Sequence, residues 1–204
     1  MQNYPLTPLE DWIERLYRNI GIKEPNQLTI TELAARLNIW VYYLEIGSQV
    51  IERNGMFSMN IDSRQSPERQ WEDFLHELCH VLRHAGNQMQ MPAAYTQMQE
   101  LEANNFQLYA AIPYSMLRKL ELPRQQNEII DLLTQEFKVT PDLARRRLEG
   151  IQRRVLQCIV SEETAKVARS KRRKFDPTNW SEETKSIMEK LYHQLQVRGS
   201  RKRG

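Results

Sequence analysis

Cysteine is scarce in this chain of 204 residues, and no long apolar run interrupts it. Cys79 and Cys158 are its two cysteines, too few for a disulfide framework and in keeping with a reducing cytosol. The longest compact apolar stretch, Ile39 to Leu44, falls far short of the roughly 18 residues that a membrane span needs. The first residues, MQNYPLTPLED, show neither the basic region nor the apolar core of an export signal, so a cytoplasmic location is expected. Internal repeats are missing as well, and biased composition is confined to basic clusters near the C-terminus. What is left is a chain able to bury roughly 70% of its unfolded surface, as one sizeable domain with an appendage.

Histidine is also rare, and its placement is informative. Of four histidines, three (His76, His80, His84) fall within nine residues. The modest net charge of +3 hides a split: residues 145–204 hold 17 Lys and Arg against 7 Asp and Glu, and the rest of the chain is acidic.

Local signals place the elements. Thr7-Pro8-Leu9-Glu10 reads as a capping box with proline at the first helical position, followed by Leu9, Trp12, Ile13, Leu16 and Ile20 at helical spacing. Thr29 to Glu32 opens a short helix through Leu37. Ile39 to Leu44 is β-branched and aromatic, and Asn54-Gly55 is a hairpin-type turn before an alternating stretch at 56–62. Two or three strands are therefore expected between about 38 and 62, with Gln49 to Arg53 ambiguous and 56–62 a candidate edge for an extended substrate. Ser66-Pro67 starts a helix to about His84, with Gly86 as its stop. Further helices are predicted over about 94–111, 125–137, 141–160 and 181–196. The compact domain is expected to span 1–160, with 161–204 a basic, partly disordered tail carrying one amphipathic helix.

His76-Glu77-Leu78-Cys79-His80 is an HExxH motif. On a helix, positions i and i+4 lie about 40° and 6 Å apart, so both imidazoles reach one metal ion. The intervening glutamate points beside that ion, where it can take a proton from water as the water attacks a carbonyl. Trp71, Phe74, Leu75, Leu78, Val81 and Leu82 gather on one side of the helix, while Asp73, Glu77, His80, Arg83 and His84 lie on the other. Zinc normally takes three protein ligands, and His84, about 12 Å along the axis from His76, cannot join the same ion on a straight helix. His84 and Asp73 are instead candidates to support the ligands from behind. Spacing alone leaves Glu100 and Glu102 as equal candidates for the third ligand.

HELCHVLRH followed by ELEANNFQLYAAIP resembles the ImmA/IrrE metallopeptidase family, in which HExxH is followed by an E-x-E-A-N-x-F-A segment ending in proline. The resemblance runs from about the Ile39 strand to about Leu148 and is closest to prophage-encoded members from Gram-positive bacteria, of the PBSX type. It implies Glu100 as third zinc ligand, Asn104 as a supporting residue one turn on, and Glu77 as general base. Cys79 stands where HELGH has glycine, and Gln107-Leu108-Tyr109 replaces an alanine-rich stretch. The implied fold is α+β: a small antiparallel or mixed sheet, a zincin-type HExxH helix, a following ligand helix and a helical C-terminal part. The implied activity is zinc-dependent cleavage of a helix-turn-helix repressor that derepresses a prophage or mobile element. Tyr95, Tyr109 and His84 are the candidates to polarise the scissile carbonyl.

A rival reading comes from the basic half. Glu128 to Phe137, a turn, and Leu143 to Arg154 resemble a helix-turn-helix with Arg145, Arg146 and Arg147 on its second helix. This reading predicts a regulatory DNA-binding protein with a vestigial or sensory metal site. The positive excess alone predicts weak nucleic-acid contact. Leu143, Leu148, Ile151 and Val155 argue instead for a helix that packs.

Overall fold

The computed structural model describes residues 4–53, 56–84, 92–171 and 179–200. The turn at Asn54-Gly55, the helix stop at Gly86, and the basic runs at 172–174 and 201–203 lie outside them. The chain divides into two compact units, Met1–Cys158 and Ile159–Gly204, and the boundary falls within one helix.

The first unit begins with α1 (Pro8–Asn19), whose N-cap Thr7 and third residue Glu10 close a reciprocal capping box. Helix α2 (Ile30–Leu37) is capped by the Thr29 hydroxyl and ends on Asn38, which adopts a left-handed conformation at φ 55°. Three strands follow: β1 (Trp40–Leu44), β2 (Gln49–Arg53) and β3 (Met56–Asp62). Their order is β1-β3-β2, with β3 parallel to β1 and antiparallel to β2. The sheet is therefore mixed, and the fold is α+β. The ambiguous stretch at 49–53 is a strand.

The expected edge at 56–62 is a correction: β3 is the central strand, and the edges are β1 and β2. Its polar residues Asn60 and Asp62 are not a solvent face. The Asn60 amide, buried, donates to the carbonyls of Ile46 and Gly47 at 3.2 Å each. The backbone N–H of Asp62 donates to the Ser48 hydroxyl at 3.1 Å. These bonds hold the β1–β2 connection as it crosses the end of β3, which is what puts β2 on the far side of the sheet.

Helix α3 (Pro67–Arg83) starts at the N-cap Ser66 with proline in the first turn. It buries Trp71, Phe74, Leu75 and Leu78 against the sheet and α4 (Ala93–Ala111). Ala103 and Ala110, fully buried, keep the α4 face toward the core small and allow close packing. After the four-residue α5 (Tyr114–Leu117), α6 (Gln126–Phe137) and α7 (Pro141–Lys171) complete the core through Leu133, Phe137, Leu143, Ala144, Leu148 and Ile151. The buried Glu72 ties α3 to the start of α7: its carboxylate accepts the Thr140 backbone N–H at 2.8 Å.

Helix α7 continues beyond the expected end near 160, because 161–171 contains no glycine or proline to stop it. In the second unit, α8 (Glu182–Ser200) leaves Ile187 and Leu191 exposed. Among the described residues, no helix is long and apolar enough to cross a membrane.

Candidate metal centre

One polar patch on α3 and the middle of α4 forms the site. The apolar stripe of α3 faces the core, which leaves His76, Glu77 and His80 on the opposite arc. The two imidazoles meet through their Nε2 atoms at 3.3 Å. Glu100 on α4 reaches both: Oε2 lies 3.2 Å from His76 Nε2 and Oε1 lies 3.5 Å from His80 Nε2. These three side chains offer ligand atoms that all lie within 4.8 Å of one another, and they are the one such group among the described residues. Two imidazoles and a carboxylate form a donor set that suits zinc with one position left open.

The proton arrangement fits a cation. Burial, reinforced by the neighbouring His76 and His84, pushes the His80 imidazolium down to about 4 despite the opposing charge of Glu100. His80 is thus neutral near pH 7, as a ligand must be. His84, at the C-cap of α3, places Nδ1 2.8 Å from His80 Nδ1 and Nε2 3.3 Å from a Glu102 oxygen. The two Nδ1 atoms share one proton, and when it rests on His80 that ring offers its Nε2 lone pair toward Glu100. Arg83 donates to the other Glu102 oxygen and fixes it, while its guanidinium lies 4.9 Å over the Trp12 ring.

Glu77 sits beside this cluster. Burial first, then repulsion from Glu100 and Asp73, pushes its carboxyl up to about 7, against the pull of the Val50 backbone N–H. A group with this affinity accepts and returns a proton near neutral pH. Val50 lies on β2, so the sheet edge and the glutamate are neighbours. Asp73 accepts the Ser48 hydroxyl at 2.7 Å and so anchors the entry of β2 on α3.

The other expected residues are placed differently. The Asn104 amide donates to the backbone carbonyl of Glu100 at 2.8 Å, not to a ligand side chain. Asp73 likewise contacts Ser48, not a histidine. Tyr109 accepts from Arg154 at 3.3 Å within an arginine cluster, and Tyr95 is exposed in the first turn of α4. Sequence reasoning missed Glu102 as the partner of His84, and Val50 and Ser48 on the β2 side. Glu102 was visible as one of two competing glutamates, but the strand residues carry no signal before the sheet order is known.

The profile of Peptidase_M78, the IrrE N-terminal-like domain, matches residues 34–149, a span holding the sheet, α3 and α4. The chain belongs to this family. Among its relatives, the phage-like element PBSX protein XkdA of Bacillus subtilis strain 168 is 38% identical over 149 residues, covering 73% of this chain and 75% of that protein. The uncharacterized protein YqaB of the same strain is 37% identical over 159 residues, 78% of this chain and 92% of that protein. A solved Mycobacterium tuberculosis transcriptional regulator aligns with a TM-score of 0.50 at 19% identity, over 70% of this chain and 56% of its own length. That likeness concerns the fold alone. The family is one of metallopeptidases, and the His76–His80–Glu100 cluster is able to hold a metal ion.

Proposed function

We propose that this IrrE-like chain is a zinc endopeptidase that cleaves a helix-turn-helix repressor and so derepresses a prophage or mobile element. The observation that carries the proposal is the convergence of His76 Nε2, His80 Nε2 and the Glu100 carboxylate beside a proton-accepting Glu77. When bound there, zinc supplies Lewis-acid polarisation and makes water acidic enough to attack near pH 7. The chain's own residues do the rest. Glu77 takes the proton from the attacking water and passes it to the departing amine. Glu102 and His84 hold His80 in the tautomer that presents Nε2. The β2 edge, with Val50 next to Glu77, offers backbone groups to an extended stretch of substrate. The repressor substrate is supported by the relative from a phage-like element.

The rival DNA-binding reading depends on α7 as a recognition helix. Leu143, Ala144, Leu148 and Ile151 bury one face of that helix in the core, and Arg147 is 2% exposed. Nucleic-acid contact by the basic C-terminal region would then be electrostatic and lost with added salt, which a gel shift over a salt series reads directly.

Incubating the zinc-loaded protein with a candidate helix-turn-helix repressor tests the main proposal. Wild type is expected to cut the repressor, and Glu77→Gln, with zinc retained, to leave it intact. Cleavage that survives Glu77→Gln would remove the mechanism.

A further inference from the structure

A second concave site lies on α4 and α7. It is a pocket of about 330 Å³, at the small end of the range for ligand sites, lined by Asn105, Tyr109 and four arginines: Arg146, Arg147, Arg153 and Arg154. Among the described residues, two carboxylates form ion pairs with these four charges. Glu10 serves both Arg147, at 2.6 Å, and Arg154, while Asp142 meets Arg146 at 3.7 Å on the exposed rim. One carboxylate shared between two guanidiniums leaves a positive excess, and it falls on the partly exposed Arg154, whose side chain is 22% exposed.

Arg147, by contrast, is sealed: its side chain is 1% exposed. Nε donates to the Ile112 carbonyl at 3.0 Å, and Nη1 to Glu10 and, at 3.3 Å, to the Tyr4 hydroxyl. Its Nη2 is buried and has no hydrogen-bond partner, a costly condition for a charged donor. Tyr109 packs its ring 4.8 Å from the same guanidinium and accepts from Arg154, which leaves its own hydroxyl proton to donate.

Gly150 is the second, independent observation. It lies inside α7, where glycine costs about 1 kcal/mol relative to alanine. Its φ is not positive, and a Cβ built there meets nothing within 4 Å. Neither backbone conformation nor close packing calls for glycine here. It lines the pocket, and a side chain built there would project into open space.

We propose that this pocket binds a phosphate group, free or on a small phosphomonoester, held by charge-assisted hydrogen bonds from the arginines and by the Tyr109 hydroxyl. Nothing in the peptidase chemistry uses these residues.

Calorimetric titration of the full zinc-loaded chain with inorganic phosphate and with adenosine monophosphate, at constant ionic strength, tests this. Saturable one-site binding is expected. Tighter binding of the nucleotide would identify an organic phosphate as the ligand, and equal binding would identify free phosphate. Arg153→Glu, on the exposed side of the pocket, is expected to weaken binding at least about tenfold. Gly150→Leu is expected to abolish it while the melting temperature holds or rises, since an unstrained helical glycine is being replaced. No saturable binding would overturn the proposal. So would binding untouched by Gly150→Leu, which would place the phosphate elsewhere, the metal included. Binding of duplex DNA without any response to the small phosphates would overturn it in favour of a nucleic-acid surface.

Discussion

The His76–His80–Glu100 cluster and the Glu10–Arg147–Arg154 cluster both lean on α4, and they handle charge in opposite ways. In the first, donor atoms converge on one another and stay accessible: the Glu100 side chain is 42% exposed. Three carboxylates, Asp73, Glu77 and Glu100, press together there, and the histidine beside them is held neutral. That arrangement is poor without a cation and good with one. In the second, Glu10 is 2% exposed and surrounded by donors from Thr7, Tyr4, Arg147 and Arg154. Burial alone would raise its carboxyl, but the Arg147 charge and the hydrogen bonds outweigh this and hold it below the usual range. The lesson is that exposed lone pairs aimed at one point mark a ligand site, whereas sealed charges with partners mark structure. The arginine pocket lies between these cases, since its charges are sealed on one side and unbalanced on the other.

The largest expected effect breaks the sealed cluster. Glu10→Gln leaves two guanidiniums without their carboxylate and is expected to cost about 3–5 kcal/mol in urea unfolding at pH 7. Because the folded-state affinity of Glu10 for protons is lowered, its contribution is present above the unfolded value of 4.5 and lost as pH falls through the folded one. The variant should therefore lose less stability than wild type over that acid range. A second test acts behind the open cluster. His84→Ala or Glu102→Ala releases the tautomer lock on His80 and is expected to weaken zinc by about 10–100-fold in a competition titration. Wild-type affinity in both variants would show that His80 needs no such support. The smallest effect is expected from Asn104→Ala. Its amide reaches only a backbone carbonyl, so stability should change within about 0.5 kcal/mol and zinc affinity not at all.

Much of the helical frame could be read locally. Thr7 with Glu10, Thr29, and Ser66 with Pro67 each mark a helix start with side chains close in sequence, and each caps its helix in the structure. Strand order could not be read, because it depends on how Asn60 and Ser48 bridge the β1–β2 connection across β3. Alternation at 56–62 looked like an edge strand, yet the Asn60 amide serves that bridge and the Asp62 carboxylate pairs with Arg64. The arginine run misled for a different reason. Consecutive helical residues spread by 100° each, so Arg147 falls in the stripe of Leu143, Ala144 and Ile151 and must be buried with them. The HExxH spacing, by contrast, fixes its own geometry within one helical turn. Only the choice between Glu100 and Glu102 needed the neighbouring helix, and the structure gives each of them its own histidine partners.

The zinc content of protein purified without chelators tests the central claim most directly, measured for wild type and for Glu100→Ala. The proposed site predicts one zinc per wild-type chain and almost none in Glu100→Ala, with the two apo proteins equal in helicity and melting temperature. A wild type that never takes up stoichiometric zinc, or a Glu100→Ala protein that holds it as tightly, would contradict the assignment.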